Sequence, residues 1–312
     1  MQRLVITGDT GFVGQNLASY LRGEYELARI GRQLQAPAAG PDNDCCWDDI
    51  PPDYLNGAAA VIHLAGKAHD VHGTSNADDY FTVNTGLTSR LFDLFLQSTA
   101  RDFFFFSSVK AIADEVSDVL YETSAPAPRT PYGRSKLAAE QYIASRELPP
   151  GKRVFILRPS MIHGPGNKGN LNLLYRFVKS GIPYPLAAFQ NKRSFLSVEN
   201  LCYAVATLLQ RPEIPGGAYQ LADDDALSTN EVIQLIATAL HRKPRLWKLP
   251  PGLLETAARA GDTLRLPLTT ERLRKLTENY VVDNRKIKEA LQISRFPVDA
   301  REGLSETIKS FG

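Results

Sequence analysis

The sequence predicts an α/β fold on a doubly wound parallel sheet, followed by a smaller, mostly helical C-terminal part. Three observations predict it. Up to about residue 160, short apolar runs rich in β-branched or aromatic residues alternate with longer segments of helical period, the pattern of βαβ units. Runs such as FFFF at 103–106 have no polar alternation, as strands buried on both faces require. A glycine-spaced turn joins the first such run to the first helical segment.

In chain order, strands are expected at residues 3–7, 26–30, 59–64, 103–107 and 154–157, with helices at 13–21, 85–97 and 132–146 among them. After Arg158 the texture changes. HGPGNKGN reads as a loop, LNLLYRFVKSG as a helix stopped by Gly181, and IPYPLAAF as an irregular stretch leaving the sheet. Residues 194–210 read as a strand and helix returning to the sheet, and the remainder as short helices with little strand character. Two interleaved parts are expected: residues 1–162 with the return segment 194–222, and residues 163–193 with 223–312.

Composition narrows the function. The 312 residues carry 36 Lys plus Arg against 34 Asp plus Glu, and 43% are hydrophobic. That balance fits neither a disordered tail nor the electrostatic footprint of a nucleic-acid-binding protein. The charge-free stretch LNGAAAVIHLAG has 12 residues, short of the ~20 a spanning helix needs, so no membrane insertion is expected. MQRLVITG enters a strand without an apolar leader region, and a cytoplasmic enzyme is expected. Cys45, Cys46 and Cys202 form neither a disulfide framework nor a metal-ligand spacing. One local asymmetry stands out: residues 242–288 hold 12 Lys plus Arg and 5 Asp plus Glu, a local charge of +7. It is either a solvated helical surface or a basic face toward a polyanionic substrate.

Three motifs carry chemistry. In RLVITGDTGFVG, Gly8, Gly11 and Gly14 sit between strand and helix, where glycine permits a tight turn and lets backbone N–H groups approach a pyrophosphate. In PYGRSK, Tyr132 and Lys136 are an i, i+4 pair on one helix face. An ammonium beside a phenol favours phenolate and is expected to lower the Tyr132 pKa toward neutrality, as an acid/base at a carbonyl requires. The spacing also arises in ordinary surface helices. In FFFFSSVK, Ser107 and Ser108 close a strand at the carboxyl edge of the sheet, where ligands of open α/β sheets sit.

TGDTGFVG, AVIHLAG (60–66), FTVNTG (81–86), SS (107–108), PYGRSK (131–136) and RPSMIHGPG (158–166) occur in the order found in extended short-chain dehydrogenases/reductases. The chain resembles the nucleotide-sugar epimerases and reductases of that group over essentially its whole length. The resemblance implies a Rossmann-type domain for NAD(P), a smaller domain for the sugar nucleotide, and a catalytic set of Tyr132, Lys136 and Ser108. It implies cofactor contacts from Gly8, Gly11, Phe12, Val13 and Gly14, from Arg32, from Leu64, Ala65 and Gly66, and from Asn84, Tyr132, Lys136 and Arg158. Arg193, Arg272 and Asn170 are the implied substrate residues, and a homodimer through the helices at 85–97 and 132–146 is expected.

Two departures from the family pattern matter. Dehydratases of the family carry an Asp-Glu pair where this chain has Lys110 and Ala111, and the usual hydroxyl position is Val109. Elimination chemistry is therefore not expected, and the hydroxyl falls to Ser108. Where NAD-preferring members end the second strand with Asp, this chain reads Ile30-Gly31-Arg32. An acid there binds the ribose 2′-OH and repels a 2′-phosphate, so NADP(H) is expected, with NAD the alternative if Arg32 faces solvent. The expected reaction is reduction of the C4 ketone of a UDP-linked 4-keto-6-deoxy-N-acetylhexosamine for surface polysaccharide. The alternatives are a UDP-hexose or UDP-N-acetylhexosamine 4-epimerase with bound NAD, and a non-catalytic dinucleotide-sensing regulator, which the Tyr132 and Lys136 pair argues against.

Overall fold

The computed structural model describes residues 1–32, 44–68, 76–167, 169–264 and 268–312. Lys168, in the loop read at HGPGNKGN, lies outside them. The first half alternates β1 (Gln2–Thr7), α1 (Phe12–Leu21), β2 (Tyr25–Gly31), β3 (Cys45–Cys46), β4 (Ala58–His63), α2 (Ala77–Tyr80), a π-helical turn (Phe81–Gly86), α3 (Leu87–Gln97) and β5 (Asp102–Phe106). It continues through β6 (Val119–Leu120), α4 (Pro131–Ala144), β7 (Arg153–Pro159), β8 (Met161–His163), α5 (Asn170–Lys179), β9 (Phe195–Ser197), α6 (Val198–Gln210) and β10 (Gly217–Leu221). The remainder holds α7 (Thr229–Ala239), α8 (Pro251–Leu264), α9 (Thr270–Thr277), β11 (Val281–Val282), α10 (Arg285–Leu291) and α11 (Ala300–Lys309).

Seven of the described strands form one parallel sheet in the order β10-β7-β5-β4-β1-β2-β3. The tetraphenylalanine run shows how the sequence builds it. Phe103 and Phe105 face a core layer with Leu91, Phe92 and Phe95 of α3 and Ala139 and Ile143 of α4. Phe104 and Phe106 face the opposite layer, with Leu17 and Leu21 of α1 and Leu201, Val205 and Leu208 of α6. Successive side chains point to opposite faces of a strand, so a run buried at every position needs helices on both sides. This is the Rossmann-type doubly wound arrangement.

The return to the sheet differs from expectation. Phe195–Ser197 does not join it but pairs with Met161–His163 in a separate two-stranded ladder, and the seventh strand is Gly217–Leu221 beside β7. The returning unit is thus a helix followed by a strand, the order a parallel crossover from β7 requires. The helix expected from residue 85 begins at Leu87 and is entered through the π-helical turn.

Strand order runs outward in both directions from the β1–β4 pair, so a crevice opens beyond the carboxyl ends of these two strands. That switch point is where open α/β sheets bind ligands. Among the described residues, no helix is long and apolar enough to cross a membrane, and no group of His, Cys, Asp or Glu has the placement to hold a metal ion.

Candidate active site

The glycines at the crevice are there because nothing larger fits. Gly8 has φ +73°, and a Cβ on it would lie 2.6 Å from the Ala65 nitrogen. A Cβ on Gly14 would lie 2.2 Å from the Gly8 carbonyl oxygen. Gly11 donates its N–H to that same oxygen at 3.1 Å and caps α1, whose first turn has no acidic residue. The first N–H groups of a helix lack partners within it and carry the positive end of its dipole, so Gly11, Phe12 and Val13 open an anion cradle. A dinucleotide pyrophosphate fits these residues.

Leu64, Ala65 and Gly66 follow β4 on the other side of the crevice and are held by a hydrogen-bond chain. The Ala65 N–H donates to the Thr7 hydroxyl (3.1 Å), which bonds His63 Nδ1 (2.7 Å). His63 Nε2 meets the Thr88 hydroxyl at 2.9 Å, and Thr88 donates to the Asn84 carbonyl at 2.6 Å. Burial, reinforced by the Lys136 charge, lowers the His63 pKa to about 3. The ring is neutral, with its proton on Nε2, because both threonine hydroxyl protons are directed along the chain. Asn84, fully buried in the π-helical turn, accepts from the Lys67 N–H (2.7 Å) and donates to the Lys67 carbonyl (3.0 Å) and the Ser135 hydroxyl (2.9 Å). It braces the loop after β4 against α4.

At α4, Thr130 caps the helix by accepting from the Gly133 N–H, and Pro131 occupies the first turn, where its missing N–H costs nothing. A Cβ on Gly133 would lie 2.4 Å from the Lys110 carbonyl oxygen, so the helix start is jammed against the turn after Ser108. This close approach puts the Ser108 hydroxyl beside the Tyr132 phenol. Ser107, by contrast, turns inward and donates to the Glu140 carboxylate at 2.5 Å. Burial raises the Tyr132 pKa, opposed by the Ser108 hydroxyl. The expected lowering by Lys136 is not found: desolvation dominates, and the ammonium instead donates to the Phe106 carbonyl at 2.7 Å. Burial lowers the Lys136 pKa to about 8, with Glu140 opposing.

Ser108, Tyr132, Lys136, Asn84 and Gly66 therefore meet at the crevice; a Cβ on Gly66 would lie 3.0 Å from Asn84 Oδ1 and 3.1 Å from Lys136 Nζ. Arg32 is exposed just beyond β2. Arg158, expected beside the cofactor, gives Nε and Nη2 to Glu140 at 2.6 to 3.2 Å, and its Nη1 is buried without a partner. Arg193 donates to the Lys275 carbonyl and lies 3.8 Å from Glu278, both in the last turn of α9 or just past it, while its Nε is buried without a partner. Arg272 is exposed in the first turn of the same helix, and Asn170 is exposed at the start of α5. Sequence reasoning missed Thr7, His63, Thr88 and Glu140. Of these, Glu140 was within reach, being one turn beyond Lys136 on the same helix face.

The model of the NAD dependent epimerase/dehydratase family matches residues 4–222. A UDP-glucose 4-epimerase of Vibrio cholerae is 31% identical over 262 residues, which are 79% of this chain and 78% of that protein. A GDP-6-deoxy-D-mannose reductase of Pseudomonas aeruginosa is 28% identical over 249 residues, 76% of this chain and 79% of its own. The solved structure of MoeE5 in complex with UDP-glucuronic acid and NAD superimposes with a TM-score of 0.74 at 21% identity, covering 99% of this chain and 98% of that one. The glycine cradle at the β1–β4 switch point and the tyrosine, lysine and serine beside it thus lie on a chain that belongs to the NAD dependent epimerase/dehydratase family.

Proposed function

We propose that the protein is an NADP(H)-dependent reductase of the C4 ketone of a UDP-linked 4-keto-6-deoxy-N-acetylhexosamine, a precursor of surface polysaccharide. The observation that carries this reading is the meeting of Ser108 and Tyr132 at the crevice, with Lys136 buried one turn along α4. Residues 1–162 with 194–222 hold the dinucleotide, residues 163–193 with 223–312 hold the sugar nucleotide, and α3 and α4 pair two copies. When bound, the dinucleotide supplies the hydride that C4 receives.

The chain's own residues do the rest. Tyr132 gives its proton to the C4 oxygen, and its raised pKa keeps that proton in place until charge develops there. Ser108 donates to the same oxygen, and the Lys136 ammonium stabilises the phenolate left behind. Val109, Lys110 and Ala111 offer no carboxylate for elimination. Arg193 and Arg272 take the diphosphate of the substrate, the unpartnered Nε of Arg193 being the donor left over for it, and Asn170 orders the sugar nucleotide. Gly31 leaves room for a 2′-phosphate, and the exposed Arg32 supplies its countercharge.

A second reading, a 4-epimerase that keeps its NAD, is favoured by the likeness to the Vibrio cholerae protein. The test supplies the 4-keto-6-deoxy sugar with NADPH and follows absorbance and product NMR. Oxidation of one NADPH per product, with Arg32→Ala weakening NADPH more than NADH, supports the reductase. Interconversion of UDP-GlcNAc and UDP-GalNAc, or of UDP-glucose and UDP-galactose, without added reductant establishes the epimerase instead.

A further inference from the structure

A cavity of about 300 Å³ lies at the C-terminal end of α5. The helix has ten residues, about 15 Å at 1.5 Å each, so the cavity is at the opposite end from Asn170. Phe177, Tyr184 and Ile233 give it apolar walls, and Arg242, Lys243 and Arg245 line it with no carboxylate among the lining residues. Two of these cations are fixed in place by helix-end carbonyls: Arg242 donates to the Lys179 carbonyl at 2.7 Å and Arg245 to that of Gly181 at 2.9 Å.

The surface around the cavity combines charge with bare apolar area. Residues 182–187 run beside residues 245–248, the Tyr184 N–H meeting the Arg245 carbonyl at 2.8 Å and the Trp247 N–H the Tyr184 carbonyl at 2.9 Å. This pairing exposes Ile182 and Trp247, each 57% accessible, and Leu253 follows at the start of α8 at 59%. Residues 240–250 carry Arg242, Lys243, Arg245 and Lys248 and no acid. A tryptophan and aliphatic tips set among cations is the chemistry of the bilayer interface, where indole sits at headgroup depth and the cations meet lipid phosphates. A soluble anionic metabolite would use the cations but not the outward Trp247 and Leu253.

We propose that this basic and apolar face of the C-terminal part docks the protein reversibly on an anionic phospholipid surface, the cavity receiving a lipid headgroup phosphate. This assigns a role to four of the twelve cations at 242–288, and it requires no inserted segment.

The protein carries its own probe, because its other tryptophan, Trp47, is only 6% accessible. With vesicles of phosphatidylglycerol at low salt, Trp247 emission is expected to shift to the blue and the full-length protein to sediment with the lipid. Vesicles of phosphatidylcholine should do neither, and salt should reverse the binding. Lys243→Gln with Lys248→Gln should weaken partitioning roughly 30-fold, at about fivefold per cation, and Trp247→Ala should weaken it without changing turnover of a soluble nucleotide sugar. Equal binding to both lipids, no blue shift with phosphatidylglycerol, or binding unaffected by these variants overturns the proposal. Dimerisation without lipid that Trp247→Ala abolishes also overturns it, giving the face to a second copy. Turnover in solution is measured separately, so failure here leaves the assigned reaction untouched.

Discussion

The Lys136 ammonium donates to the Phe106 carbonyl at 2.7 Å, tying α4 to the carboxyl end of β5. A fixed, buried cation one turn from Tyr132 has a pH consequence. Its pKa is lowered by burial from 10.5 to about 8, and Glu140 pulls it back up. Below pH 8 the ammonium is present, and above it the charge is lost, while Tyr132, raised by burial, keeps its proton. In the proposed reduction, kcat/KM should therefore fall as pH rises through about 8. Glu140→Gln should move that fall to lower pH, measured as a pH–rate profile of the two proteins.

The neighbouring serines should separate cleanly. Ser108→Ala removes the hydroxyl beside Tyr132 and should lower kcat by about 10- to 100-fold with little loss of stability. Ser107→Ala leaves a buried carboxylate with one fewer donor, costing about 1 to 3 kcal/mol in denaturant unfolding with a smaller effect on kcat. The reverse ranking would exchange their roles.

How far the sequence reveals this site depends on the kind of contact. The glycine turn, the buried Phe103 to Phe106 run and the Tyr132 and Lys136 pair are local patterns, legible because periodicity and spacing within one element determine them. The resemblance implies Asn84 as a cofactor contact, but only the fold reveals that its bonds to Lys67 and Ser135 give it a bracing position. The chain from Thr7 through His63 and Thr88 was not legible, since it joins residues 25 to 56 positions apart. The direction of the Tyr132 pKa was misread for the same reason: desolvation depends on packing from several elements, which spacing along one helix does not report. Phe195–Ser197 was assigned to the main sheet because three residues look alike in any sheet, and only the register with Met161–His163 decides.

His63 should control acid sensitivity. Its pKa falls from 6.5 to about 3 on folding, so the unfolded chain takes up a proton that the native state refuses between these values. The stability tied to a neutral His63 is complete above pH 6.5 and is lost toward pH 3, by up to about 1.4 kcal/mol per pH unit. His63→Gln should be less stable at pH 7 yet show a flatter dependence, measured by denaturant unfolding at pH 7, 6 and 5. An unchanged slope would mean that another group sets it.

Replacement of Tyr132 by Phe tests the central claim most directly. In the proposed mechanism it removes the proton that the C4 oxygen exchanges, while keeping the ring beside Tyr80. In whichever assay the native enzyme turns over, 4-keto sugar with NADPH or interconversion of UDP-hexoses, Tyr132→Phe should lose about 10² to 10⁴ in kcat while binding the dinucleotide with native affinity. Native turnover in that variant would contradict the account.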